Sequence, residues 1–283
     1  MMLNPIIRKE MKMSLRSSKM FFSISSFTFL SSIFSIIFIN ILIKNSFYGI
    51  SLQEISMLYF VIGSSQFGFT IVLIPALTGG AISGEREKQT LDMLILTKMS
   101  SLSIICGKLF SSISIFLLIM VATLPVFSIV LFFCNLSIIN ILSMELFIVI
   151  LSAMVGSISI FYSTMFKKTV SSIVLTFVTL GAIFSLPLII SVIYSNYYYM
   201  MNSTYPDFVG LFGINLTNPV IGFASLIDNQ MGLGLVGEFL YLDDSPTVKF
   251  LANNFWLLNM IVNVLITFLF IFLSSLRLKK ISS

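Results

Sequence analysis

The side chains able to do covalent chemistry are few and scattered. The 283 residues include no histidine, which removes the commonest metal ligand and the usual general base near neutral pH. The two cysteines, Cys106 and Cys134, stand 28 residues apart in one apolar run. As helix that is roughly 40 Å, too far for a disulfide between them, and both read as packing residues. No group of carboxylates and cysteines gathers inside an apolar run, so no metal or hydrolytic centre is visible. Glu145 is the main acid within such a run. The densest charge is instead Glu85-Arg86-Glu87-Lys88, followed by Lys98 and Lys108, between two long apolar stretches. Charge of this kind suits a solvated loop or short helix rather than covalent chemistry.

The elements that must position this segment follow from composition. Hydrophobic residues make up 57% of the chain and charged residues 10%, against about 25% charged in soluble domains. A soluble fold of this length cannot hide so much apolar surface, so the bilayer is the expected solvent. A spanning helix needs about 20 mostly apolar residues. Six stretches qualify, at 21–43, 56–82, 104–134, 140–165, 170–195 and 253–276. Pro75, Pro125 and Pro187 fall inside the second, third and fifth, where they predict kinks. The first stretch is longer than a signal-peptide core and is followed by Lys44-Asn45-Ser46-Phe47, so it reads as an uncleaved span. The expected fold is therefore a single all-α integral membrane domain over 1–283, with six transmembrane helices.

Orientation follows from lysine and arginine. Arg8, Lys9, Lys12, Arg16 and Lys19 precede the first span. Arg86, Lys88, Lys98 and Lys108 lie between the second and third, Lys167 and Lys168 between the fourth and fifth, and Arg277, Lys279 and Lys280 after the sixth. Only Lys44 and Lys249 fall elsewhere. Both termini are expected in the cytoplasm of a multi-pass cell-membrane protein. The net charge of +5 is then a topology signal, with no nucleic-acid partner implied. A composition rich in Ile, Ser, Phe, Asn and Lys suggests an AT-rich, bacterial genome.

Three further segments stand out. Residues 4–19 carry Ile7, Met11 and Leu15 at helical spacing beside Arg8, Lys12, Arg16 and Lys19, which predicts an amphipathic helix lying in the membrane interface. Residues 196–252 are too long for a turn and hold two short apolar runs, 208–214 and 219–227, expected to form a re-entrant or interfacial cap on the outer side. Residues 84–100 are expected to form a short cytoplasmic helix. Gly84 breaks the preceding span, Glu85 and Glu87 occupy the new first turn, where the helix dipole favours anions, and Leu91, Leu94 and Ile95 share one face.

This last segment resembles the ABC-2-type permease family. The family pattern E-R-E-x-G-T-L-x-x-L-L-x-T-P, with G-K about ten residues later, is matched by Glu85, Arg86, Glu87, Thr90, Leu91, Leu94, Ile95, Thr97, Gly107 and Lys108. Gln89 stands where the family has glycine and Lys98 where it has proline. Asn4-Pro5 with Arg8-Lys9-Glu10, and Asn218-Pro219, are also similar to the family. The resemblance implies that 84–100 is a coupling helix docked on a separate ABC ATPase. It also implies a complex of two permease halves, alike or different, with two ATPases that bind the ATP and magnesium. This chain lacks G-x-x-x-x-G-K-[ST] and would bind no cofactor itself. Lysine at both Glu85 and Glu87 should then weaken docking while sparing insertion. The apolar, Phe- and Met-rich spans suit a hydrophobic or amphipathic cargo such as a peptide, drug or lipid-like molecule. The alternatives are a secondary transporter or channel not driven by ATP, for which ionisable residues at membrane depth are usual, and a membrane enzyme.

Overall fold

The computed structural model describes residues 52–91, 93, 99–133, 137–204, 206, 208–232, 234, 236 and 245–282, and before them 22, 25–30, 32–33, 36–37 and 40. The expected interfacial helix with Arg8, Lys12, Arg16 and Lys19 lies outside the described residues, as do Leu94, Ile95, Thr97 and Cys134. Most of the first expected span does too. Its described positions are helical, and Phe27 there stacks on Phe69 with ring centroids 4.0 Å apart.

From Leu52 onward the described residues form helices and no strand. They are α1 (Leu52–Thr78), α2 (Ser83–Glu87), α3 (Ser101–Phe133), α4 (Ile138–Met165), α5 (Thr169–Asn202), α6 (Phe208–Asn215), α7 (Pro219–Met231), α8 (Pro246–Asn253) and α9 (Phe255–Ser282). Five of these (α1, α3, α4, α5 and α9) are long and apolar enough to cross a membrane. The pair α6 and α7, bent by 115° at their junction, would make a sixth if counted as one broken span. The three prolines lie inside α1, α3 and α5, as the sequence indicates. Large apolar side chains stand exposed along these helices, among them Leu142 and Leu146 on α4, Val174 and Val178 on α5, and Phe268 and Phe272 on α9. Each would cost roughly 1.5–3 kcal/mol if left in water, so hydrocarbon is their natural surrounding. The chain is an all-α protein with several helices built to cross a bilayer.

The chain divides into two compact units, Met1–Thr176 with Thr267–Ser283, and Phe177–Ile266. In the first, α1, α3 and α4 pack on one another. The buried stripe of α4 runs Met144, Phe147, Ile148, Leu151, Val155 and Ile158 at helical spacing, each no more than 1% exposed. Ser152, Ser157 and Ser159 are buried on the same helix, and small residues of this kind let helices approach closely. Ser137 caps α4 by accepting from the Ile139 amide at 3.2 Å, and extended Phe166 ends it.

In the second unit, the α6–α7 bend frees backbone carbonyls, which need donors where they are buried. Asparagines supply the donors. Asn259 Nδ2 donates to the Leu216 and Asn218 carbonyls at 2.8 and 3.1 Å, and Asn263 Nδ2 steadies Asn259 Oδ1 at 2.9 Å. Asn218 caps α7 by accepting from the Val220 amide, ahead of Pro219 at the first helical position, and its Nδ2 donates to the Phe184 carbonyl. The runs 208–214 and 219–227 are thus two short helices meeting at a bend.

Candidate functional site

The segment joining α1 to α3 begins with a break that the sequence places too late. It comes at Gly79–Ile82 rather than at Gly84, which lies inside α2. The start of α5 packs closely against this break. A Cβ on Gly79 would overlap Ile173, and one on Gly80 would sit 2.8 Å from Thr169 Cγ2, whereas a Cβ on Gly84 would be 3.9 Å from that atom. Glu85 remains in the first turn of the new helix, while Glu87 closes it, because α2 is only five residues long.

Ser163 of α4 starts α2 from outside. Its Oγ accepts from the Ile82 and Ser83 amides, both at 2.9 Å, doing what an N-cap side chain does for its own helix. The end of α2 is a Schellman turn: the Thr90 amide donates to the Glu85 carbonyl at 2.9 Å and the Gln89 amide to the Arg86 carbonyl at 3.1 Å. Such a turn needs a left-handed residue between them. Gln89 takes that role, with φ of 57°. The position where the resembled pattern carries glycine is thus the one where glycine would be unstrained.

The three charged residues of the motif are each bound within the first unit. Glu85 accepts from the Thr90 hydroxyl and pairs with Lys108 Nζ of α3 at 3.4 Å. The Lys108 side chain is 7% exposed and that of Glu85 33%. Arg86 reaches the end of α4, its guanidinium donating to the Thr164 and Phe166 carbonyls at 3.1 and 3.4 Å. Those are orphan carbonyls of a helix C-terminus, where a cation is favoured. Glu87 reaches the start of α5, accepting from the Thr169 amide at 2.8 Å and its hydroxyl at 2.5 Å. An anion there satisfies donors that the helix leaves open.

Leu91 is buried in a cluster with Ile82, Ile104, Ile105, Leu109, Ile160 and Leu278, so this segment, α3, α4 and the end of α9 meet at one end of the unit. Gly107 is buried on α3 beside Lys108. The basic residues Arg86, Lys88, Lys108, Lys167, Lys168, Arg277, Lys279 and Lys280 are therefore gathered at that end, as the span order requires. Glu87, Lys88, Gln89 and Met93 are exposed on the segment, Met93 to 74%. The structure pairs Glu85 with Lys108, while Leu94, Ile95 and Thr97 lie outside the described residues. Ser163 and Thr169 were not foreseen; their only signal is their position at the far end of the fourth span and the start of the fifth. Both carboxylates are engaged within the unit, Glu87 while staying exposed.

No protein-family model and no curated protein matches this sequence.

Proposed function

We propose that this chain is the membrane-spanning subunit of an ATP-driven exporter, working beside a second permease half and two separate ATPase chains that bind ATP and magnesium. The observation that carries this is the frame between α1 and α3. Its charged side chains tie to α3 through Lys108, to α4 through Thr164 and Phe166, and to α5 through Thr169. Its outer residues Lys88, Gln89 and Met93 stay free of cover. A partner pressing on those residues would load three helices at once, which is what a rigid-body lever requires. On this reading the segment faces the cytoplasm, and the cargo is hydrophobic or amphipathic, since the spans offer apolar and hydroxyl surface and almost no charge. A carrier or channel without ATP drive draws on one observation, the part-buried Gln66–Glu145 contact.

The test is purification of the tagged full chain from its native membranes, followed by ATPase assay and quantification of companion chains. We expect one nucleotide-hydrolysing chain per copy, and about tenfold less of it when the exposed anchor is reversed by Met93→Glu, with membrane insertion unchanged. Substitution of the internally bound Glu85 by lysine should instead lower the stability of the chain itself. Recovery of the intact chain with no ATP-hydrolysing companion would overturn the proposal in favour of the ATP-independent alternative.

A further inference from the structure

A polar constellation lies among α1, α3 and α4, far from the charged frame, with Gln66 and Thr123 buried and Glu145 half-buried. Gln66 of α1 is 1% exposed and Thr123 of α3 fully buried. Gln66 Nε2 donates to Thr123 Oγ1 at 2.7 Å and to Glu145 Oε1 of α4 at 3.2 Å. Two buried atoms are then left without a partner, Gln66 Oε1 and Glu145 Oε2.

The orientation of the amide is fixed by its neighbour. The Thr123 hydroxyl spends its proton on the Met120 carbonyl at 2.7 Å, so its oxygen can only accept. The Gln66 group facing it must be the NH2, and Oε1 must point away. Both hydrogens of that NH2 are used, one on Thr123 and one on Glu145. What remains is a carbonyl oxygen and a carboxyl oxygen, two acceptors on groups already joined by one hydrogen bond. A buried acceptor left without a donor is destabilising. An ionised carboxylate would add a charge that no basic side chain among the described residues neutralises. Among the titratable groups of the same helices, Glu54 lies at the start of α1, Tyr59 donates to the Asn140 carbonyl, Cys106 and Tyr162 sit toward the charged frame, and Lys108 is held by Glu85. Lys108 precedes Thr123 by 15 residues, roughly 22 Å of helix.

We propose that Glu145 and Gln66 form a proton-binding site inside the bundle, in which one proton on Glu145 Oε2 is donated to Gln66 Oε1. That proton converts one orphan acceptor into a donor for the other and closes a cyclic acid–amide pair across α1 and α4. The ligand is the proton itself, taken from water and returned to it, with no other bond made or broken. Loss of the proton would set two acceptors against each other, so its occupancy is linked to how closely α1 and α4 pack. The site is independent of any ATPase partner.

The test is infrared spectroscopy of the full chain in lipid nanodiscs at neutral pH, with potassium exchanged for sodium in parallel. We expect a protonated-carboxyl band that Glu145→Gln abolishes and that does not depend on which of the two cations is present. Gln66→Leu, which keeps the acid, should shift the band to higher frequency as its carbonyl loses the amide donor. A wild-type spectrum without a band assignable to Glu145 would overturn the proposal. So would a band unmoved by Gln66→Leu, or one displaced by sodium or potassium, which would make the ligand a metal cation.

Discussion

Gln89 shows how much a single residue can say about a turn. Its φ of 57° is a left-handed conformation that costs L-residues other than glycine roughly 1 kcal/mol. The Schellman hydrogen bonds on either side, from the Thr90 and Gln89 amides, hold it there. Gln89→Gly should therefore stabilise the chain by about 0.5–1 kcal/mol, read as a raised midpoint in detergent thermal unfolding. The gain is partly offset by the greater freedom of glycine in the unfolded chain. No change, or a loss, would mean that the turn is held differently from what the two hydrogen bonds indicate. The sequence marked Gln89 as a departure from the resembled pattern, but its cost is a backbone angle, which no side-chain pattern displays. Glu85 and Glu87 teach the complementary lesson. Their charge was legible, while their partners Thr169 and Lys108, 82 and 23 residues away, depend on how helices pack.

At the scale of elements, the apolar runs located the long helices because a span must be about 20 residues of continuous hydrophobicity. The described helices α1, α3, α4, α5 and α9 begin within four residues of the expected starts. The α6–α7 pair was legible only as two short apolar runs, since a bend is set by what satisfies the freed backbone. Asn259 does so, and it lies 43 residues from the Leu216 carbonyl it serves. Gly222 gives Asn259 its room: a Cβ there would overlap the Asn259 amide. Gly222→Ala should displace that side chain, leave the Leu216 and Asn218 carbonyls without their donor, and cost roughly 2–4 kcal/mol. Hydrogen exchange should rise at residues 216–222. Gly213→Ala is the control, because nothing lies within 4 Å of the added methyl. Equal behaviour of the two variants would show that Asn259 does not hold the bend. The break before α2 belongs to the same class. Gly79 and Gly80 are adjacent in the sequence, yet Gly84 reads equally well as a breaker until the start of α5 is seen against the first two.

At the scale of the whole molecule, the proposed function rests on one mechanical feature. A short segment is fixed to several helices from within and exposes a separate face outward, so force and recognition use different residues. Glu85, Arg86 and Glu87 serve the first role through Lys108, the end of α4 and the start of α5. On the proposed reading Met93, exposed to 74%, serves the second. The most direct measurement replaces Met93 with a photo-crosslinking amino acid in the full chain, in its native membrane, and identifies what it captures on illumination. A major adduct with a nucleotide-hydrolysing chain is expected, its yield changing when ATP is replaced by a non-hydrolysable analogue. Adducts confined to lipid or to this chain, or formed with reagents added only outside the cell, would contradict it.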